Sequence, residues 1–389
     1  MSELRPIGTD QTWPWWPLLP LYPYGRRRTL VRELIAEQVW SFEQLQGIWY
    51  VAVPVRMTVL RLADGLLAYA PVAATGEVIT ALRGLEQRWG PLRTIVLPTA
   101  SGLEHKVGLP ALARAFPAAA VWVAPGQWSF PLRLPPGWLG IPAQRTRLLF
   151  EQGLPHADQL DWRLLGPLDL GVGRFSEVAC LHRASGSLLI TDALVGLAPE
   201  PPGLFDLDPT PLLYHARERG DEPLADSPDR RRRGWLRLLL FANYLRPAAL
   251  EVPPLVEVLG RALAPGCRNL RSHFGLYPFR WREGWQADAE ALLAGGGLRV
   301  APVLERLVFP RCRELLLAWI RELGALEQTR WLIPAHYEAP LACGPERLEQ
   351  LAAALAAGPW APAQGSWQTL AAIDRTLLKL GVVPQRPAC

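Results

Sequence analysis

The chain has 389 residues, half of them hydrophobic and 20% charged, with a net charge of +5. That composition supports a large core and excludes a disordered polypeptide, and no apolar run approaches the roughly 18 residues of a membrane span. Arginine supplies nearly all the positive charge, the lysines being Lys106 and Lys379. The tight basic runs, Arg26–Arg28 and Arg230–Arg233, read as solvated surface rather than as a specific nucleic-acid face. Five cysteines (Cys180, Cys267, Cys312, Cys343 and Cys389) form no CxxC pair. That spacing argues against a disulfide framework and points to a reducing, cytoplasmic setting.

Residues 1–38 read as a Pro/Trp-rich arm. Within it, WPWWPLLPLYPY (13–24) places Pro at a three-residue period, the repeat of a polyproline II turn. The arm suits packing across its own domain; a second use is a peripheral membrane contact through residues 13–28, with aromatics at the interface and Arg26–Arg28 against anionic lipid. An α/β domain is expected over 39–345. Residues 57–72 read as two strands about an Asp64-Gly65 turn, 77–89 as a helix and 94–99 as a buried strand. A helix at 107–116 and a strand at 120–125 follow, then strands at 175–182 and 187–192 joined through Ser185-Gly186. Residues 200–300 read as an insertion whose helix begins at Ser227-Pro228 and turns Trp235, Leu238, Leu239 and Ala242 to one face. A long helix near 300–324, a strand at 330–335 and a C-terminal helical tail over 346–389 complete the pattern.

Strand-end loops of an open α/β sheet are where sites are usually built. Three stand out: Thr99 to His105 after TIVLP, Ile190-Thr191-Asp192, and Ile333 to His336. In this order and spacing, TIVLPTASGLEHKVGLPALARAFPAAAVWVAP, LLITDAL and LIPAHYEAP resemble the metallo-β-lactamase-like superfamily over roughly 45–200 and 300–345. More narrowly, the chain resembles a domain-of-unknown-function branch found in photosynthetic organisms. The resemblance implies an α/β fold, a metallo-β-lactamase-like αβ/βα sandwich with a helical insertion.

The resemblance also implies which metal ligands are missing. The family's two leading motif histidines fall at Ala100 and Gly102 here, and its third at Val172, so the first metal site is expected to be absent. The second-site positions are Glu104, His105, Asp192 and His336, two carboxylates and two imidazoles able to bind one Zn²⁺, Fe²⁺ or Mn²⁺. Each has a plainer use. Ser101 to Glu104 is also an S-x-x-E capping box, in which Glu104 reaches back to the Ser101 amide. His105 and His336 also suit hydrogen-bonded loop-end histidines, and Asp192 suits a loop cap.

A two-residue turn at Ser185-Gly186 pairs Asp192 with Ala179 and leaves His182 roughly 10 Å away, out of reach of a shared metal. His215 and His273, in the insertion, are candidates for a substitute ligand, and His156 suits the surface. The aromatic clusters at Trp128 and at 274–281 suit core packing. No nucleophile elbow, Walker loop or HExxH competes. Two readings follow. The first is a metal-dependent hydrolase of ester, thioester or phosphoester bonds, with Asp192 or Glu104 orienting the water and a small-molecule substrate. The second is an inactive, metal-free member of the fold that binds a protein partner, a membrane surface or a small ligand through the insertion and the aromatic arm.

Overall fold

The computed structural model describes residues 21–127, 136–171, 173–262, 264–360 and 362–385. Residues 13–20 of the arm, Trp128 and Val172 lie outside them. The first sheet comprises β1 (Leu30–Ile35), β2 (Val39–Ile48), β3 (Val51–Leu62), β4 (Gly65–Tyr69), β5 (Leu92–Leu97), β6 (Ala120–Val123) and β7 (Thr146–Leu148), paired in that order. Its first half is antiparallel; from β4 onward it is parallel. The second sheet contains β8 (Leu160–Asp169), β9 (Arg174–His182) and β10 (Ser187–Ile190). Short pairs form between β11 (Leu194–Gly196) and β14 (Leu298–Val300), and between β12 (Leu250–Glu251) and β13 (Arg280–Trp281). Strands β15 (Trp331–Pro334) and β16 (Leu341–Ala342) complete the second sheet, in the order β16-β15-β10-β9-β8.

The helices are α1 (Gly76–Trp89), α2 (Leu103–Lys106), α3 (Leu109–Ala115), α4 (Thr210–His215), α5 (Pro228–Tyr244) and α6 (Leu255–Ala262). They are followed by α7 (Trp285–Leu293), α8 (Pro302–Leu307), α9 (Arg313–Gly324), α10 (Pro345–Ala357) and α11 (Gln368–Lys379).

Strand periodicity builds the layers. Along β4 and β6, Leu66, Ala68, Val121 and Val123 face α1 and α3, whereas Leu67, Tyr69 and Trp122 face the second sheet. In the second sheet, Val178, Cys180, Leu189 and Ile333 meet that inner face, while Leu181, Leu188, Ile190 and Leu332 pack under α9 and α10. Side chains alternating at a period of two fill both faces of each strand, so each sheet is covered on one side by its partner and on the other by helices. The layers run helix, sheet, sheet, helix: the expected αβ/βα sandwich, with the expected helical insertion beside it.

Several local expectations shift. The first strand, β1, lies within the segment read as an arm. Arg27 is buried and donates to Gln46 Oε1 at 2.7 Å, so that run is not wholly solvated. The helix expected near 300–324 is three pieces, because Pro302 opens α8 and the turn at Phe309–Arg311 leaves Cys312 non-helical before α9. The insertion helix follows its sequence: Ser227 Oγ accepts from the Arg230 amide, Pro228 takes the first turn, and Leu245 ends α5 with φ 61°. Trp235, Leu238 and Leu239 join Trp285, Tyr277 and Phe279, the last two from the aromatic run expected in the core. No helix among the described residues is long and apolar enough to cross a membrane.

His215 and His273 tie the insertion to the β2–β3 turn at Tyr50. His215 Nε2 donates to Tyr50 O at 3.1 Å, and His273 Nδ1 lies 2.8 Å from the Tyr50 hydroxyl. Complete burial lowers His215 to about 3, so the unfolded chain takes up its proton first as pH falls. Stability from this residue is therefore present above pH ~6.5 and lost as pH falls toward 3. Urea unfolding at pH 7 and pH 4 should show a loss that shrinks by up to about 3 kcal/mol in His215→Gln, at about 1.4 kcal/mol per pH unit below pH ~6.5.

Candidate metal centre

The site forms where β5, β10 and β15 end. Strands β10 and β15 are parallel with Ile190 opposite Pro334, so two residues further on Asp192 and His336 emerge side by side. His336 Nε2 lies 3.1 Å from Asp192 Oδ1 and 3.8 Å from Glu104 Oε1. Candidate ligand atoms of Glu104, His105 and His336 all lie within 4.8 Å of one another. The structure thus brings Glu104, His105 and His336 into one cluster and places Asp192 against it through His336.

Glu104 does not cap Ser101. The N-cap of α2 is Gly102, which makes no side-chain cap, and the Glu104 carboxylate turns to His336 instead. Both histidines are fixed from behind. His105 Nδ1 lies 3.1 Å from Pro71 O and His336 Nδ1 lies 3.1 Å from Pro54 O. Each Nδ1–H donates to a carbonyl, which turns both Nε2 atoms to the cluster; that of His105 keeps its lone pair, and that of His336 carries a proton toward Asp192 that a bound ion would displace. His105 Nε2 is buried and has no hydrogen-bond partner among the described residues. An orphaned imidazole nitrogen, a second imidazole and a carboxylate are a donor set that fits one divalent ion.

Close neighbours set the protonation of the cluster. Burial alone would lower His336, but Asp192 and Glu104 outweigh it and raise it to about 10. Burial alone would raise Glu104; His336 and His105 reverse this and hold it at about 2. Burial lowers His105, against the pull of Glu104 and Asp192.

The leading histidine positions are closed. Ala100 is fully buried, and a Cβ at Gly102 would stand 2.5 Å from Thr99 Cγ2. Beside them Lys106 Nζ donates to Ala100 O at 2.6 Å, and burial brings its ammonium down to about 8.

Three residues important to the site escape the sequence argument. Glu177, buried on β9, accepts from the amides of Thr191, Asp192 and Ala193 at 2.7, 3.0 and 2.7 Å. Burial and the nearby Asp192 push its carboxyl up to about 7 despite those amides. Arg56, buried on β3, donates to Pro334 O and to Tyr337 O, and Lys106 is the third. The available signal is a charged residue inside an apolar run, as in FSEVACL and VPVRMTVL. The hairpin register hid Glu177. Ser187 pairs with His182, so the turn is Arg183–Gly186 and Glu177, rather than Ala179, falls opposite Asp192. His182 stays outside the cluster, bonded to Ser185 Oγ at 2.8 Å.

A family model described as Domain of unknown function (DUF4336) matches residues 36–354. The chain belongs to this family. Among curated proteins none matches it in sequence. Solved structures similar in part include a metallo-beta-lactamase from Pontibacter korlensis, at 14% identity and TM-score 0.31 over 46% of this chain and 78% of that one. A metallo-beta-lactamase from Erythrobacter litoralis is similar at 15% identity and TM-score 0.30, over 55% and 81% of the two chains.

Glu177→Ala should leave three amides without their acceptor and lower stability by about 2–4 kcal/mol, read by urea unfolding, with Glu177→Gln costing roughly half as much. Hydrogen exchange should speed up first at residues 191–193 of the DUF4336 domain.

Proposed function

We propose that this DUF4336 protein is a hydrolase of ester, thioester or phosphoester bonds that works with one divalent ion, Zn²⁺, Fe²⁺ or Mn²⁺. Glu104, His105 and His336 would hold the ion, with Asp192 alongside. The observation that supports this reading best is the pair of histidines whose Nδ1 atoms are both committed to backbone carbonyls. Their Nε2 atoms are left to one buried cluster, with no partner for that of His105 among the described residues. A bound divalent ion would supply Lewis acidity at a scissile oxygen and at an adjacent water.

The chain's own groups then have distinct tasks. Asp192, its amide fixed by Glu177, accepts a hydrogen from the attacking water and orients it. Glu104 is the second carboxylate able to do so when it is not occupied as a ligand. The carbonyls of Pro71 and Pro54 fix the imidazole rings, so the donor set is arranged before substrate arrives.

A second reading has its own support. His336 already lies between two carboxylates, Asp192 at 3.1 Å and Glu104 at 3.8 Å, without an ion. An inactive member of the fold, binding a partner instead, could keep the same cluster as a buried ion network.

Elemental analysis separates them, on protein purified without chelators or a metal-binding tag. Wild type should carry about one equivalent of divalent metal, and His105→Ala/His336→Ala almost none, since binding depends on both ligands. Wild type without stoichiometric metal, even after reconstitution, would overturn the hydrolase and favour the second reading.

A further inference from the structure

On the far side of Tyr337, the residue after His336, the chain builds an apolar cleft. It has a volume of about 740 Å³, within the usual range for small-molecule sites, and its walls include Trp49, Val53, Phe241, Leu245, Phe279 and Tyr337. No charged side chain lines it. Trp49 and Leu245 stay 46% and 39% exposed at its edge, so the cleft opens to solvent.

Two features tie it to the candidate centre. Val53 precedes Pro54, whose carbonyl holds His336 Nδ1, and Tyr337 follows His336 with the ring centroids 6.3 Å apart. The opposite wall, from the end of α5, is fastened to the same loop by Asn243 Nδ2, 3.4 Å from the Tyr337 hydroxyl. One loop thus carries both a proposed ligand and a wall of the cleft, and a charged headgroup would be desolvated without a partner in the cleft.

We propose that the cleft holds the acyl chain of the substrate, which makes the scissile bond a carboxylic ester or thioester of an aliphatic acid. This rests on the hydrolase reading above. Water oxygen bonds to the acyl carbon as the bond from that carbon to the ester oxygen or sulfur breaks. The leaving atom keeps the electron pair and takes up the proton that water lost to Asp192, and the carboxylic acid product ionises to solvent.

The test is calorimetric titration of the full chain with octanoate, decanoate and dodecanoate. Affinity should rise about 3- to 4-fold per added methylene as each enters the cleft. Ala242→Phe, which fills the cleft, and Leu245→Glu, at its exposed edge, should each weaken decanoate at least tenfold. Both should retain wild-type melting temperature and metal content, which separates a blocked cleft from a damaged fold. No binding, an affinity indifferent to chain length, or variants that bind like wild type would overturn the proposal. Metal content is read independently. A metal-free wild type that still binds by chain length would remove the hydrolase and leave an apolar-chain site, whereas a metal-loaded wild type that ignores chain length would remove only the acyl chain.

Discussion

Arg56 sits fully buried in the middle of β3 and spends its guanidinium on the loop that carries His336, donating to the carbonyls of Pro334 and Tyr337. Its own amide donates to Ala335 O at 2.8 Å, so one residue of the first sheet holds three carbonyls of the second sheet's strand-end loop, those of residues 334, 335 and 337. A buried guanidinium is tolerable only when paired, and Glu43 supplies the pair at 3.1 Å. Burial pushes the Glu43 carboxyl up, but Arg56 and Arg32 overcome it and keep it below its usual range. Loss of one partner from such a pair costs about 3–5 kcal/mol, because the other charge is left stranded. Here the loss would also release the loop on which the cluster and the cleft both depend.

The layers were legible in the sequence because they rest on period-two burial, which a one-residue slip would invert. The site was legible only in part, because period two is blind to a slip of two. Reading Ser185-Gly186 as the turn and finding Arg183–Gly186 instead leaves every side chain of β9 and β10 on its proper face. What changes is the residue opposite Asp192, from Ala179 to Glu177. Ser185 explains the longer turn, since its hydroxyl bonds both His182 and Ser187. No pattern of apolar residues encodes that.

Glu104 shows the same limit from the side of energy. Its S-x-x-E spacing fits a capping box, a motif worth about 1 kcal/mol. A carboxylate about 4 Å from an imidazolium gains roughly 4 kcal/mol at an effective dielectric near 20. The ion pair outweighs the cap, and Gly102 is left to start α2 without a side-chain bond. The competitor lies 232 positions away along the chain (336 − 104), where local sequence rules do not reach.

The loop around residue 337 joins the two halves of the proposed chemistry through backbone conformation. Tyr337 has φ 58°, a region that costs a side-chain-bearing residue about 1–2 kcal/mol. The conformation is held on both sides: Arg56 takes the Tyr337 carbonyl, and Glu338 donates to Gly196 O at 2.9 Å. It lets two consecutive residues serve different surroundings, His336 toward Glu104 and Asp192, Tyr337 toward the apolar cleft. An extended strand would send neighbours to opposite faces of one sheet, with the sheet's own core on one side. A left-handed residue three positions past the end of β15 instead turns the two to different surroundings. The buried Arg56–Glu43 pair is what keeps that turn in place.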